Sequence, residues 1–579
     1  MKSGSFTRVT SIDRLSGDGP FALSAEGHDI ALVRTPSGWR AFQGRCPHQG
    51  ALLGEGEIED GALVCRNHRW RFSLDSGQRQ GGQECLVSCP VSERNGAIHV
   101  DVSGLKRTSE GRVATRSLDE LPGPKPLPLI GNTHQVQPTK AHLIMEGWQR
   151  QYGSLYQCRM GGRRLVVTSR PELIEEMLRA RPETYRRSAR TDEILSEVGI
   201  RGVLNAEGEE WRPQRKLSVA ALAQRNLRQL YPNIRLVAER MVRRWGDAAA
   251  RNATLDIVDE MKRFTVDVTM LIVFGHDSNT VERSDDVIQR HLEVILPKLS
   301  RRILSPFATW RYVKLKSDRK LDAALLAARA WLAALLDEAR RRLAADPERA
   351  ENPANFLESM IVAVDEHGRP FSDGAIMSNL VTMLLGGEDT TAFTLSWALH
   401  ELCDNPQWPA ALRQEADRIL GPDHVAADLD VANSLSVASA VANETMRLRP
   451  AAPIVTSNAN VDTSLGEYFV PKHTTVAALV RPAALDAAHF AEPQAFRPER
   501  WLDPPKGAHD VSAYIPFGSG PRMCPGRSLA LLEMKTLLST LYKSFDVERA
   551  GEAEDVTELF GFTMSPAGLR ARVRPRQAA

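Results

Sequence analysis

Three groups of residues in this 579-residue chain have types and spacings suited to chemistry. The first is Phe517 to Gly526, FGSGPRMCPG, which sets Phe517, Gly520, Arg522, Cys524 and Gly526 in a fixed register. Glycines at 518, 520 and 526 lack a Cβ, so the backbone there can turn tightly and approach a flat macrocycle. N–H groups in such turns can be aimed at a sulfur and tune the metal it holds. A thiolate presented this way suits a haem iron, onto which it pushes electron density that favours O–O cleavage. The alternative is a Gly/Pro-rich surface loop with an incidental cysteine. The second group is Cys46-Pro47-His48 and Cys65-Arg66-Asn67-His68, with sixteen residues between His48 and Cys65. Each segment offers one soft thiolate and one imidazole. Zinc modules usually pair Cys with Cys and His with His in sequence. Mixed pairs suit a [2Fe–2S] cluster with two Cys on one iron and two His on the other. Zinc and a metal-free fold stay as alternatives. The third group, Gly386-Gly387-Glu388-Asp389-Thr390-Thr391, interrupts a long helical stretch from Met377 to Glu401. Each mid-helix glycine costs about 1 kcal/mol relative to Ala, and a Thr hydroxyl competes for backbone carbonyls, so the helix is weak there. Breaking an O–O bond needs protons, and an acid beside a hydroxyl can relay them.

At every fixed position the Phe517–Gly526 stretch resembles the haem-binding signature of the cytochrome P450 family. The resemblance implies haem b, with Cys524 as its axial thiolate and Arg522 paired with a propionate. Trp211 and Arg215, one helical turn apart, match a W-x-x-x-R motif whose members contact propionates. An Arg often stands near Ser457 as a further propionate partner, and this chain lacks it. Glu444, Arg447 and Arg500, the last within FRPERW, resemble a buried charge triad that keeps Cys524 in register. Isolated on a helix, Glu444 and Arg447 would be a surface pair worth almost nothing. Asp389 and Thr390 match the oxygen-activation motif, and Glu388 is expected to point away.

Residues 5 to 102 resemble a Rieske ferredoxin domain, which implies Cys46, His48, Cys65 and His68 as ligands of a [2Fe–2S] cluster. Respiratory Rieske proteins tie their cluster loops with a disulfide and place Ser and Tyr hydroxyls near the sulfurs. Here those positions are Ala51, Asn67, Trp70 and Phe72. Fewer hydrogen bonds to sulfur leave the reduced cluster less stabilised. Its potential is therefore expected near the bottom of the Rieske range, about −150 mV. Cys85 and Cys89 read as structural, and Arg69 stands where Gly is common.

These groups need elements to position them. Over residues 1–103 short alternating runs (Ile30–Val33, Trp39–Phe42, Ala62–Val64, Trp70–Phe72, Ala97–Val100) are separated by turn signals at Pro36–Gly38 and Asp75–Gly77, which predicts a compact antiparallel β domain. Residues 104–121 are polar and read as a flexible linker, followed by the rigid, proline-rich Pro122–Asn132. Residues 122–579 carry helical patterns at 210–250, 316–346, 373–404 and 525–545, with short strands such as Leu165–Thr168 and Thr475–Leu479. The expected fold class is multidomain: a small all-β Rieske domain, then a mainly α cytochrome P450 fold with minor β sheets.

Composition narrows the function. A net charge of +2 from 74 basic and 72 acidic residues argues against nucleic acid as a partner. Seven cysteines, an odd number in a long chain, suit a reducing cytoplasm. MKSGSFTRVTSIDR has no apolar core of a signal peptide and no run of 18 apolar residues occurs, so no membrane anchor is expected. No Gly-rich dinucleotide fingerprint follows a strand. A separate NAD(P)H-dependent ferredoxin reductase is therefore expected as electron donor, with O2 and a lipophilic small molecule as substrates. Ile454 and Val455 are expected to line the pocket. Rival readings are a haem-thiolate isomerase, dehydratase or peroxygenase, and a redox or gas sensor.

Overall fold

The computed structural model describes residues 6–576 apart from 16, 27, 48–49, 67–68, 106–113, 284–286, 306–307, 365–367 and 503–509. The first hundred residues form antiparallel sheets. Strands Phe21–Ala25, His28–Thr35, Gly38–Gln43 and Ser88–Cys89 lie side by side in that order. Thr35 pairs with Gly38, so Pro36 and Ser37 make the hairpin turn that the sequence predicts. Successive strand residues point to opposite faces, and both faces here are buried. Ile30, Leu32 and Ala41 pack with Ile98 and Val100, while Ala31, Val33 and Phe42 pack with Cys46 and Cys65. A smaller ladder, Glu57–Glu59, Ala62–Val64 and Arg71–Ser73, holds the second Cys/His segment as the connection between its last two strands.

Residues 115–121 differ from a free linker. Arg116–Ser117 pair in parallel with Tyr468–Phe469, and Leu118 and Leu121 are buried in the core around Ile174, Met177 and Tyr468. Two leucines spaced three apart supply the apolar contact that the polar composition of the segment hides. Of the rest of the expected linker, Leu105 packs on the β-domain core, and 106–113 lie outside the described residues.

The large domain is a helix bundle beside a five-stranded mixed sheet. That sheet runs in the order Leu155–Met160, Arg163–Thr168, Thr475–Leu479, Ile454–Ala459 and Tyr185–Arg187. Helices Gln224–Ala250, Ile257–Phe274, Asp389–Asp404, Ser436–Leu448 and Arg527–Ser544 share one core that includes Trp245, Phe264, Leu395, Val441 and Leu537. The helical pattern over 210–250 is two helices, Trp211–Ala221 and Gln224–Ala250, and that over 316–346 is one, Lys316–Ala345. The stretch 373–404 is also two, Asp373–Gly387 and Asp389–Asp404, parted at Glu388 beside the paired glycines. Among the described residues no helix is long and apolar enough to cross a membrane.

Candidate functional site

The Cys524 loop is held by its own backbone. The Cys524 N–H donates to the Phe517 carbonyl at 2.9 Å, and the Met523 N–H to that of Gly520 at 3.1 Å. Gly518 and Gly520 both have φ near +70°, where a side chain is strained. At Gly520 a Cβ would also run into the Leu178 carbonyl, whereas at Gly518 it would meet open space. Helix Arg527–Ser544 starts three residues after Cys524.

Around this loop lies a surplus of buried cations. Arg522 donates to the Ala206 carbonyl at 2.9 Å and to Glu207 at 2.6 Å, and it stacks on Trp211 with its guanidinium carbon 4.5 Å from the ring centroid. Its Nε and Nη1 are buried with no hydrogen-bond partner among the described residues, and so is the Nε of Arg187. Burial, then the nearby Arg187, pushes Arg522 down to about 9, and burial also lowers Arg187. Orphaned guanidinium nitrogens are costly, and a dianionic ligand would satisfy them. Arg187 was missed by the sequence. Its strand, Tyr185–Arg187, pairs with Ile454–Ala459 so that Arg187 stands opposite Ser457, whose buried Oγ also lacks a partner. The cation absent at 457 thus comes from the neighbouring strand. Arg215 departs from the expected arrangement. Its Nε and Nη2 each donate to Glu55 of the β domain at 2.9 Å, and its Nη1 to the Met523 carbonyl at 2.6 Å.

At the helix break, Thr390 Oγ1 donates to the Gly386 carbonyl at 2.7 Å, and Asp389 pairs with Lys262 at 2.9 Å. Lys262, from helix Ile257–Phe274, carried no signal in the sequence because its partner is 127 positions away. Glu388 is buried. The Glu444 and Arg447 side chains have 0% exposure and are joined by two hydrogen bonds of 2.9 and 2.7 Å. Arg500 reaches Glu444 at 3.3 Å, and the Arg497 N–H and Trp501 Nε1 also donate to it. Arg447 spends its remaining donors on the carbonyls of Ala484, Pro493 and Ala495. Ala484 and the stretch from Pro493 to Trp501 are therefore tied to one buried pair.

The two Cys/His loops of the β domain are twins. The Cys46 N–H donates to the Ala51 carbonyl and the Gly50 N–H to that of Cys46, and Cys65 is bonded to Trp70 and Arg69 in the same way, all at 2.8–2.9 Å. Gly50 and Arg69 occupy equivalent corners, with φ of +68° and +57°. Arg69 holds that corner at a positive φ and pairs with Glu57 and Glu59. Cys46 and Cys65 are buried in an apolar shell with Leu53, Leu63, Phe72 and Met523 of the large domain. Two buried soft thiolates on matched loops fit a shared iron. His48 and His68 lie outside the described residues. The Arg79 guanidinium carbon stacks 3.5 Å from the Trp70 ring centroid.

A family profile described as Cytochrome P450 matches residues 121–572, and one described as Rieske [2Fe-2S] domain matches residues 5–90. The cytochrome P450 monooxygenase sphH of Aspergillus fumigatus is 28% identical over 479 residues, covering 77% of this chain and 86% of its own. Cytochrome P450 76C4 of Arabidopsis thaliana is 27% identical over 501 residues, covering 83% and 95%. The crystal structure of a cytochrome P450DA heme domain matches with a TM-score of 0.71 at 23% identity, covering 80% of this chain and 99% of that one.

Proposed function

The chain belongs to the cytochrome P450 family and carries a Rieske [2Fe-2S] domain ahead of it, and from that premise we propose a monooxygenase fed by its own cluster. One oxygen atom of O2 enters a lipophilic organic substrate and the other leaves as water. The electrons come from a separate NAD(P)H-dependent ferredoxin reductase. The observation that carries this reading is the set of unpartnered guanidinium nitrogens on Arg522 and Arg187 beside the Cys524 loop, which fits a haem with two propionates. When bound, haem supplies an iron that takes up and splits O2 with the thiolate's help.

In this reading the chain's residues divide the work. Cys524 would hold the haem iron through its sulfur, with Phe517, Gly520 and Gly526 shaping its loop. Arg522, Arg187 and Trp211 would hold the propionates, whereas Arg215 is engaged by Glu55 and the Met523 carbonyl. Glu444, Arg447 and Arg500 keep the loop segments together and touch no substrate. Asp389 accepts a proton from solvent after parting from Lys262, and the Thr390 hydroxyl passes it on from the helix break. Ile454 and Val455, both expected to line the pocket, are half-buried on opposite faces of their strand, Ile454 against the core of Trp148 and Tyr156 and Val455 against that of Val166 and Tyr185, so one strand face holds only one of them. Cys46 and Cys65 would hold one iron of the cluster, and His48 and His68 the other.

The test is substrate-dependent O2 uptake by the full chain with a ferredoxin reductase and NAD(P)H. Product should form in step with NAD(P)H consumed. In Thr390→Ala, NAD(P)H and O2 should be consumed at near-normal rates but end mainly as peroxide. A Thr390→Ala chain that makes wild-type product per NAD(P)H would show that the relay lies elsewhere. No uptake with any screened lipophile would favour a sensor.

A further inference from the structure

One carboxylate of the β domain sits between two guanidiniums, and both of these reach the Cys524 loop. Glu55 accepts from Arg215 at 2.9 Å through each oxygen, and from Arg66 at 3.2 Å. Arg215 then donates to the Met523 carbonyl at 2.6 Å, and Arg66 to the Pro525 carbonyl at 3.0 Å. Those two carbonyls flank Cys524 on either side. The Glu55 and Arg215 side chains are 7% and 5% exposed. Arg66 directly follows Cys65. Arg527, at the start of the helix after the loop, lies within electrostatic reach of both Cys65 and Cys524.

A second set of contacts surrounds this cluster. Arg179 Nη2 donates to the Pro47 carbonyl at 2.8 Å, next to Cys46. Arg45 donates to the Arg179 carbonyl and to Glu183, and Asp29 pairs with Arg45 at 2.6 Å and with Arg212 at 3.6 Å. Met523 completes the apolar shell of Cys46 and Cys65. The face of the β domain that bears both cysteine loops is thus seated on the loop that bears Cys524.

We propose that Glu55, Arg66 and Arg215 form a lock that docks the Rieske domain on the Cys524 loop of its own chain, with Arg66 as the bridge between cluster and haem. The inference rests on the cofactor reading above. The route runs from Cys65 along the chain to Arg66, across one hydrogen bond to Pro525, and to Cys524. One electron leaves the reduced cluster, which returns to its all-ferric form, and ferric haem becomes ferrous. No bond forms or breaks and no proton moves. The electron is first supplied to the cluster by a flavoprotein reductase. Removing Glu55 would leave two buried guanidiniums side by side, so the lock opens when its one anion is lost.

The experiment uses the holoprotein with both cofactors loaded. The cluster is reduced photochemically under carbon monoxide, and haem reduction is followed in the carbonmonoxy band. In parallel, electron spin relaxation of the reduced cluster reports its nearness to the haem iron. Glu55→Gln and Arg66→Gln should each slow haem reduction at least tenfold and lengthen the cluster's relaxation, with both absorption spectra intact. Arg179→Glu attacks the same face from the large domain, by removing the hydrogen bond to the Pro47 carbonyl, and should act in the same direction. Wild-type rate and relaxation in Glu55→Gln and Arg179→Glu would overturn the lock while leaving the cofactor reading intact. A wild-type chain that holds no cluster would overturn both.

Discussion

Glu533 lies buried in helix Arg527–Ser544, and burial pushes its carboxyl up to about 8, against a hydrogen bond with Thr391 that pulls it down. The consequence has a definite sign. An unfolded Glu ionises near its ordinary value of about 4.3, while the folded one keeps its proton to about 8. Across that window the native state binds more protons than the unfolded state, so stability falls as pH rises, by up to about 1.4 kcal/mol per pH unit. Glu533→Gln cannot ionise. Its melting temperature should match or trail the wild type at pH 5 and exceed it at pH 8.5, and equal differences at the two pH values would refute the assignment. The same scale shows what single residues disclose. Cys524, Asp389, Glu444 and Arg447 were legible because each sits in a short motif. Arg187, Lys262 and Glu55 were not, because each acts through a partner far along the chain: opposite Ser457, against Asp389 and against Arg215.

Elements explain why those motifs have the spacing they do. The glycine pair at 386 and 387 predicts a weak point, and the helix does part at Glu388. A Cβ at Gly387 would come within 2.8 Å of Thr269 Oγ1, so the small residue also permits close helix packing. The Cys524 loop offers a paired test. Gly518 and Gly520 share a positive φ, which costs a side chain roughly 1–2 kcal/mol. Only Gly520 also presses on the main chain at Leu178. Gly518→Ala should therefore lower stability by about 1 kcal/mol and keep full haem occupancy, whereas Gly520→Ala should cost several times more and release haem. Thermal melts and haem-to-protein absorbance ratios check this, and equal effects would contradict the close approach. The strand pattern of the β domain was readable from its alternation. The helices were less so, since a continuous apolar period over 210–250 conceals the joint at Leu222 and Ala223.

At the scale of the whole molecule, the seating of one domain on the other had no trace in the sequence, because every contact between the two domains joins residues more than a hundred positions apart; only Glu55 with Arg66 and Asp29 with Arg45, both within the β domain, are nearer. A tether alone gives an effective concentration on the order of millimolar. The buried Glu55–Arg215 contact adds a defined orientation and is screened little by salt. Two consequences follow for electron supply. Cys65→Ala removes one of the proposed cluster ligands, and its haem should still form the carbonmonoxy band with dithionite but stay oxidised with NAD(P)H and reductase. Cutting the chain after Gly104 leaves Arg116, Ser117, Leu118 and Leu121 anchored on the large domain. Haem reduction in the cut protein should then rise in proportion to added β domain, and at micromolar concentrations it should fall well below that of the intact chain. If the large domain alone were reduced by the reductase as fast as the intact chain, the cluster would not lie on the electron's path, and the seating of Cys46 and Cys65 beside Met523 would be packing only.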